Sequence, residues 1–143
     1  MVISKMQIED LEKIKDILQT EFDDFWNYNV FLEELNNRYS TYFCIKQEED
    51  ILGFAGIWQS IDVIHITNIV VRKDMRGKGI GKKLLEKLID YSKTIPEITS
   101  ITLEVHEDNE IAQKLYQRYG FKQVGMRKKY YKDKNAIILT KEF

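Results

Sequence analysis

One cysteine, Cys44, one proline, Pro96, and two histidines in 143 residues leave whole classes of protein out. A lone cysteine forms no internal disulfide, and a chain of this length buries a core without such staples. A single proline beside seven glycines, with no Gly/Ser-rich or low-complexity stretch, excludes collagen-like sequence and flexible linkers. The longest purely aliphatic run, Ala136–Leu139, is far too short to span a membrane. Met1–Met6 lacks the apolar stretch of a secretory signal, so the expected location is the cytoplasm. No internal repeat is visible. With 43% hydrophobic and 31% charged residues, the composition is that of one ordinary soluble domain over 1–143.

The net charge of −1 hides an asymmetry. Residues 1–71 carry 5 Lys/Arg against 13 Asp/Glu; residues 72–143 carry 17 against 10. A basic half suits an anionic ligand and an acidic half a cationic one, although solvated faces give the same pattern. The chain as a whole is not basic, which argues against a nucleic-acid binder. No His, Cys or carboxylate pair has ligand spacing on one face, so no metal site is expected.

Ile8, Leu11, Ile14, Leu18 and Phe22 keep helical spacing after a short strand at 1–6. Asn29 is placed to cap a second helix carrying Phe31, Leu32 and Leu35. Tyr42–Lys46 and Ile51–Gln59 read as strands joined by the polar tetrad Gln47–Asp50, and Ser60–Asp62 turns into a third strand, Val63–Val71. In that strand Ile64 and Ile66 alternate on one face, and Ile69 and Val71 resume one step out of phase. An extra residue near Asn68, a β-bulge, accounts for this; so does burial on both faces. Leu84, Leu85, Leu88 and Ile89 stripe the next helix, which ends near Pro96. Ile101–Val105 alternates as a strand. Asp108 or Asn109 caps a short helix with Ile111, Leu115 and Tyr119 on the core side, stopped by Gly120. Phe121–Val124 and Ala136–Thr140 close the chain as a strand pair. The order predicts an α+β, sandwich-like domain: a mixed central sheet flanked by helices.

Between the third strand and its helix runs Arg76-Gly77-Lys78-Gly79-Ile80-Gly81. Glycines allow positive φ and close backbone approach, so several amide N–H groups can converge on one anion at the helix N-terminus. Arg76, Lys78 and Lys82 add positive charge. The loop lacks the Gly-Lys-Ser/Thr ending of a Walker loop and the spacing of a dinucleotide fingerprint. A tight turn that merely needs glycine explains it in part.

Arg76, Gly79 and Gly81, following Thr67–Val71, resemble the acetyl-CoA motif of the GNAT superfamily of N-acetyltransferases. The resemblance covers nearly the whole chain. Within the superfamily it is nearest to the ribosomal-protein-alanine N-acetyltransferase (RimI) type, through Leu103-Glu104-Val105, Asn109, Leu115-Tyr116, Tyr119-Gly120-Phe121, Arg127 and Tyr130-Tyr131. Asp23–Asn27 departs from the Pro-Trp-Ser often found near the second helix, a region that shapes the acceptor site.

The resemblance implies acetyl-CoA as cosubstrate, its pantetheine arm on the backbone of Ile69, Val70 and Val71. Its pyrophosphate would lie on the amides of Gly77, Lys78, Gly79, Ile80, Gly81 and Lys82 beside Arg76, with Asn109 a further contact. It implies Glu104 as general base, directly or through a water, and Tyr116 as the acid that protonates the thiolate. Tyr130 and Tyr131 would flank the acceptor, a protein N-terminus, with a ribosomal protein as partner. On their own residues, Glu104 lies opposite Ile101, Leu103 and Val105, as a merely solvated carboxylate would, and Tyr116 has the spacing of a core aromatic. Cys44 sits mid-strand as core cysteines do, so Cys44, His65 and His106 do not suggest a Cys/His hydrolase. Two rival functions remain: acetylation of small amines such as polyamines or aminosugars, and a non-catalytic acyl-CoA-binding module.

Overall fold

The computed structural model describes residues 1–131 and 134–143, and of residues 129–131 the backbone alone. The elements run β1 (Val2–Lys5), α1 (Ile8–Lys13), α2 (Tyr28–Leu35), β2 (Ser40–Gln47), β3 (Asp50–Ser60), β4 (Val63–Val71), α3 (Ile80–Lys93), β5 (Ser100–His106), α4 (Glu110–Arg118), β6 (Lys122–Tyr131) and β7 (Lys134–Glu142). The sheet order is β1-β2-β3-β4-β5-β7-β6. Among the described residues only β4 and β5 run parallel, and they pair over just three positions, Val63–His65 with Ser100–Thr102.

Each face of the sheet buries its own apolar set. Ile80, Leu84, Leu85, Leu88 and Ile89 of α3 pack on Phe43, Ile45, Ala55, Ile57, Ile64, Ile101 and Leu103. Leu84, Leu85, Leu88 and Ile89 are the expected stripe, to which Ile80 adds a turn; Lys82, Lys83 and Glu86 are exposed, and Lys87 is half-buried over the Phe43 ring. On the opposite face Leu11, Ile14, Leu18, Phe22 and Phe31 cover Tyr42, Cys44, Phe54 and Val70. Aromatic rings dominate there: Phe31 lies 5.0 Å from Phe54 and 5.1 Å from Tyr42, centroid to centroid. Gly56 belongs to this packing, because a β-carbon there would overlap the Tyr42 ring. α4 rests its Ala112, Leu115, Tyr116 and Tyr119 against the α3 side without burying any residue fully.

The bulge is present. Gly56 faces Asn68 while Ile57 faces Ile66, which leaves Thr67 as the extra residue. Ile64, Ile66, Ile69 and Val71 thereby all contact the α3 core, although the strand changes phase between them.

Three local expectations are corrected. The first helix does not run through to Phe22. It stops at Lys13, Ile14 and Ile17 adopt φ/ψ of −108°/9° and −114°/2°, and a single π-helical turn covers Leu18–Phe22. The looser winding keeps Ile14, Leu18 and Phe22 pointed at the core, so tertiary burial overrides helical regularity. Asn27, not Asn29, caps α2: its backbone is extended (φ −79°, ψ 172°) and its Oδ1 accepts the Val30 N–H at 2.9 Å. Asn29 already lies inside the first turn. Ile111 is not on the core side; it is 85% exposed, while Ala112 and Leu115 take the packing positions.

Asp10 ties α1 to β2. Its buried carboxylate accepts the Gln7 N–H at 2.8 Å and holds the Lys46 ammonium at 2.6 Å, and the Cys44 thiol lies 3.8 Å away. Burial acts to raise the Asp10 pKa, but the Lys46 and Gln7 hydrogen bonds outweigh it and hold the group below its ordinary value. Burial, with Asp10 beside it, pushes the Cys44 thiol up to about 11. Asp10→Ala strands Lys46 and should lower unfolding stability at neutral pH by about 2–3 kcal/mol in urea titrations. Because the native carboxyl titrates below the unfolded one, this stabilisation is full above the ordinary Asp value. It is lost as pH falls through the depressed native value. Stability of Asp10→Asn should therefore change less on acidification from about pH 5 to about pH 3 than that of the parent protein.

Candidate active site

The bulge at Thr67 and the short β4–β5 pairing act together. Beyond His65 and Thr102 the two parallel strands no longer pair, so among the described residues one edge of Ile69–Val71 has no strand beside it while the other stays paired to Gly53–Ala55. A groove of about 430 Å³ opens along that edge. Ile69, Val70, Val71, Arg76 and Gly81 form one wall, and Asn109, Ile111, Ala112, Leu115 and Tyr116 of α4 the other. An extended chain laid there would meet unpaired backbone groups, as an added strand does.

At the end of this groove the glycine loop enters α3. Gly79 is the N-terminal cap residue of the helix, in the left-handed region at φ 80°, and Gly77 has φ 79°. Among the described residues, nothing beyond the adjoining ones lies within 4 Å of the β-carbon position at either glycine. The first N–H groups of α3 follow this open turn at the positive end of the helix dipole, with no side-chain cap, an arrangement that accepts phosphate. Lys78 and Lys82 are exposed beside it. Ile80 is buried in the core, so only its amide can face a ligand. Arg76 does something the residue pattern did not reveal. Its Nε donates to the Val71 carbonyl at 3.0 Å and its Nη2 to the Phe22 carbonyl at 2.8 Å. The guanidinium thus clips the loop to β4 and to the end of the π turn.

Tyr116 stands on the α4 wall, its ring edge-on to Phe121 at 5.7 Å. Burial raises its pKa, so the phenol stays protonated. Asn109 caps α4 by accepting the Ala112 N–H at 3.1 Å through Oδ1, which leaves its Nδ2 donors for another partner. Asp23, at the end of the π turn, also lines the groove; burial raises its pKa against the opposing hydrogen bond from the Phe25 N–H.

Glu104 is not in this groove. It lines a second one, of about 460 Å³, with Phe25, His65, Ile66, Thr67, Thr102, Leu103, Arg127 and Ile138. His65–Thr67 border the second groove and Ile69–Val71 the first, so a single residue of β4, Asn68, separates them along the strand. The Asn68 side-chain Oδ1 is buried there with no hydrogen-bond partner among the described residues. The His65 ring lies tilted against Trp58, centroids 5.1 Å apart, and burial lowers its pKa against the pull of Glu104. Both Glu104 oxygens contact Arg127 Nη1, at 3.3 and 3.2 Å.

The structure therefore gathers Ile69, Val70, Val71, Arg76, Gly81, Asn109 and Tyr116 around one groove and sets Glu104 in the next. The side chains of Tyr130 and Tyr131 lie outside what is described. Among the described residues no group of His, Cys, Asp and Glu could hold a metal ion, and no helix is long and apolar enough to cross a membrane. Thr102 was readable as a neighbour of Glu104 by alternation. His65 required the parallel register, and Asp23 and Phe25 carry no periodic signal.

The chain is similar in sequence and in shape to known proteins. The profile of the Acetyltransferase (GNAT) family matches residues 9–121. A [ribosomal protein bS18]-alanine N-acetyltransferase of Haemophilus influenzae is 31% identical over 144 residues, 97% of each chain. The crystal structure of the ribosomal-protein-S18-alanine N-acetyltransferase of Escherichia coli superposes with a TM-score of 0.88 at 28% identity, covering 99% of this chain and 92% of that one. Arabidopsis thaliana NAA60 in complex with acetyl-CoA shares the fold at a TM-score of 0.82 and 18% identity, over 99% and 98% of the two chains.

Gly79 separates fold from binding. A β-carbon there meets the left-handed strain of about 1–2 kcal/mol but open space around it. Gly79→Ala and Gly79→Glu should lose similar stability in thermal melts. Only the carboxylate should also repel an anion, so the Glu variant should bind acetyl-CoA roughly 10–100-fold more weakly than the Ala variant by calorimetry. Equal affinities would place the anion elsewhere.

Proposed function

Because the chain belongs to the GNAT family of acetyltransferases and is an acetyl-CoA-dependent N-acetyltransferase, we propose that its acceptor is the N-terminal α-amine of a protein, specifically a ribosomal-protein N-terminal alanine. The observation that carries this reading is the pair of grooves along β4. One has an open strand edge and an anion cradle; the next has a carboxylate. Two relatives that span nearly the whole chain are named for this acceptor.

In this reading the amides from Gly77 to Lys82 hold the pyrophosphate and the backbone of Ile69–Val71 aligns the pantetheine arm. Asn109 supplies a further donor. Arg76 keeps the cradle pre-shaped through its two carbonyl contacts. Acetyl-CoA supplies an acetyl group activated as a thioester, which passes to the amine with release of coenzyme A. Glu104 takes a proton from the acceptor nitrogen on one of its carboxylate oxygens, directly or through a water. Tyr116 gives its phenolic proton to the departing sulfur and regains one from solvent. An N-terminal amine with a pKa near 8 is already partly neutral at physiological pH, so a carboxylate suffices as base. Tyr130 and Tyr131 flank the acceptor backbone.

Glu104→Gln and Tyr116→Phe should each lower kcat by roughly 10²–10⁴-fold with little change in acetyl-CoA affinity. The double variant should lose much less than the product of the two if both serve one transition state. A Glu104→Gln enzyme with the parent's kcat and pH profile would leave proximity alone to account for the rate. The acceptor is tested with labelled acetyl-CoA and a panel of N-terminal peptides and polyamines. Alanine-initiated peptides should be preferred. Transfer to polyamines and to no peptide would assign the enzyme to small amines instead.

A further inference from the structure

We infer that Arg127 is a positioning residue for the reaction, fixing the carboxylate plane of Glu104 from across the sheet; this rests on the proposed role of Glu104. The two residues are not sheet neighbours. Arg127 lies on the edge strand β6, opposite Ala136, and Glu104 on β5, opposite Ile138, with β7 between them. The guanidinium reaches across β7 into the groove that Glu104 lines. There a single nitrogen, Nη1, sits 3.3 Å from Oε1 and 3.2 Å from Oε2.

That geometry decides what the arginine can do. A carboxylate has about four lone-pair directions, and a nitrogen straddling both oxygens leaves the others open. The pair therefore holds the carboxylate's orientation while leaving it able to accept a proton from an incoming amine. The Arg127 side chain is 60% exposed and that of Glu104 31%. A pair this wet contributes little to folding, so loss of the pair itself is expected to show in rate and not in stability. For a base, by contrast, a displacement of about 1 Å costs on the order of a hundredfold in rate. Of the other polar groups lining the groove, His65 feels Glu104 as a nearby charge, and the Thr102 hydroxyl is engaged by Leu139 and Thr140.

Arg127→Gln and Arg127→Lys test this in the parent and in the Glu104→Gln background, with kcat, the KM for acceptor peptide, acetyl-CoA affinity and thermal melting measured for each. Arg127→Gln should lower kcat about 10–100-fold with melting temperature and acetyl-CoA affinity unchanged. Arg127→Lys should restore most of the rate. In the Glu104→Gln background Arg127→Gln should change kcat less than about twofold, because a residue that acts through Glu104 has nothing left to position. An equal loss in both backgrounds, or a rate that holds or rises in Arg127→Gln while Glu104→Gln is slow, overturns the role of Arg127 alone. A Glu104→Gln enzyme at full speed overturns the base assignment and this inference with it.

Discussion

The structure depends on how briefly β4 and β5 pair. Three matched positions, Val63–His65 with Ser100–Thr102, are enough to join the β1–β4 half of the sheet to the β5–β7–β6 half. Longer pairing would have filled the edge of Ile69–Val71 with a strand and left no groove. The extra residue Thr67 makes the short pairing compatible with a continuous core, since it lets β4 change phase while Ile64 and Val71 stay on the same apolar cluster. A sheet normally cannot both stop pairing and stay buried; here α3 and α4 supply the burial that β5 gives up.

Arg76 shows how the site and the fold share parts. A residue whose charge suits a phosphate spends two of its donors on backbone carbonyls, one at the end of β4 and one at the end of the π turn. The π turn leaves the Phe22 carbonyl without a helical partner, and the arginine satisfies it. The same contact sets the glycine loop relative to Asp23, which borders the groove. Irregular backbone, a capped loop and a binding surface are thus a single assembly.

Features set by local chemistry were legible from the residues: the α3 stripe, the alternation of Ile101–Val105, the phase slip in β4, a cap at Asp108 or Asn109 and the glycine loop. What escaped was set by distant partners. The spacing of Leu11, Ile14, Leu18 and Phe22 is helical, yet their shared core accepts a looser path, so periodicity alone overstated the helix. Asn27 and Asn29 are equally good caps by type; the extended backbone at Asn27 decided between them. Ile111 has core character and lines the groove wall instead. The contact between Arg127 and Glu104 spans a whole intervening strand, and two register shifts in β6 hide it from any reading of spacing.

α4 carries Asn109 and Tyr116 but no fully buried residue. It is held by one partly covered face, while its Ile111 side stands in the groove. An element so lightly seated opens at lower free energy than the central strands, and its amides exchange with solvent through that local opening. A molecule lying between α4 and β4 would supply the covering that the chain withholds. Its binding free energy would then be spent in part on closing this one helix, so occupancy of the groove and the ordering of its own wall are thermodynamically linked.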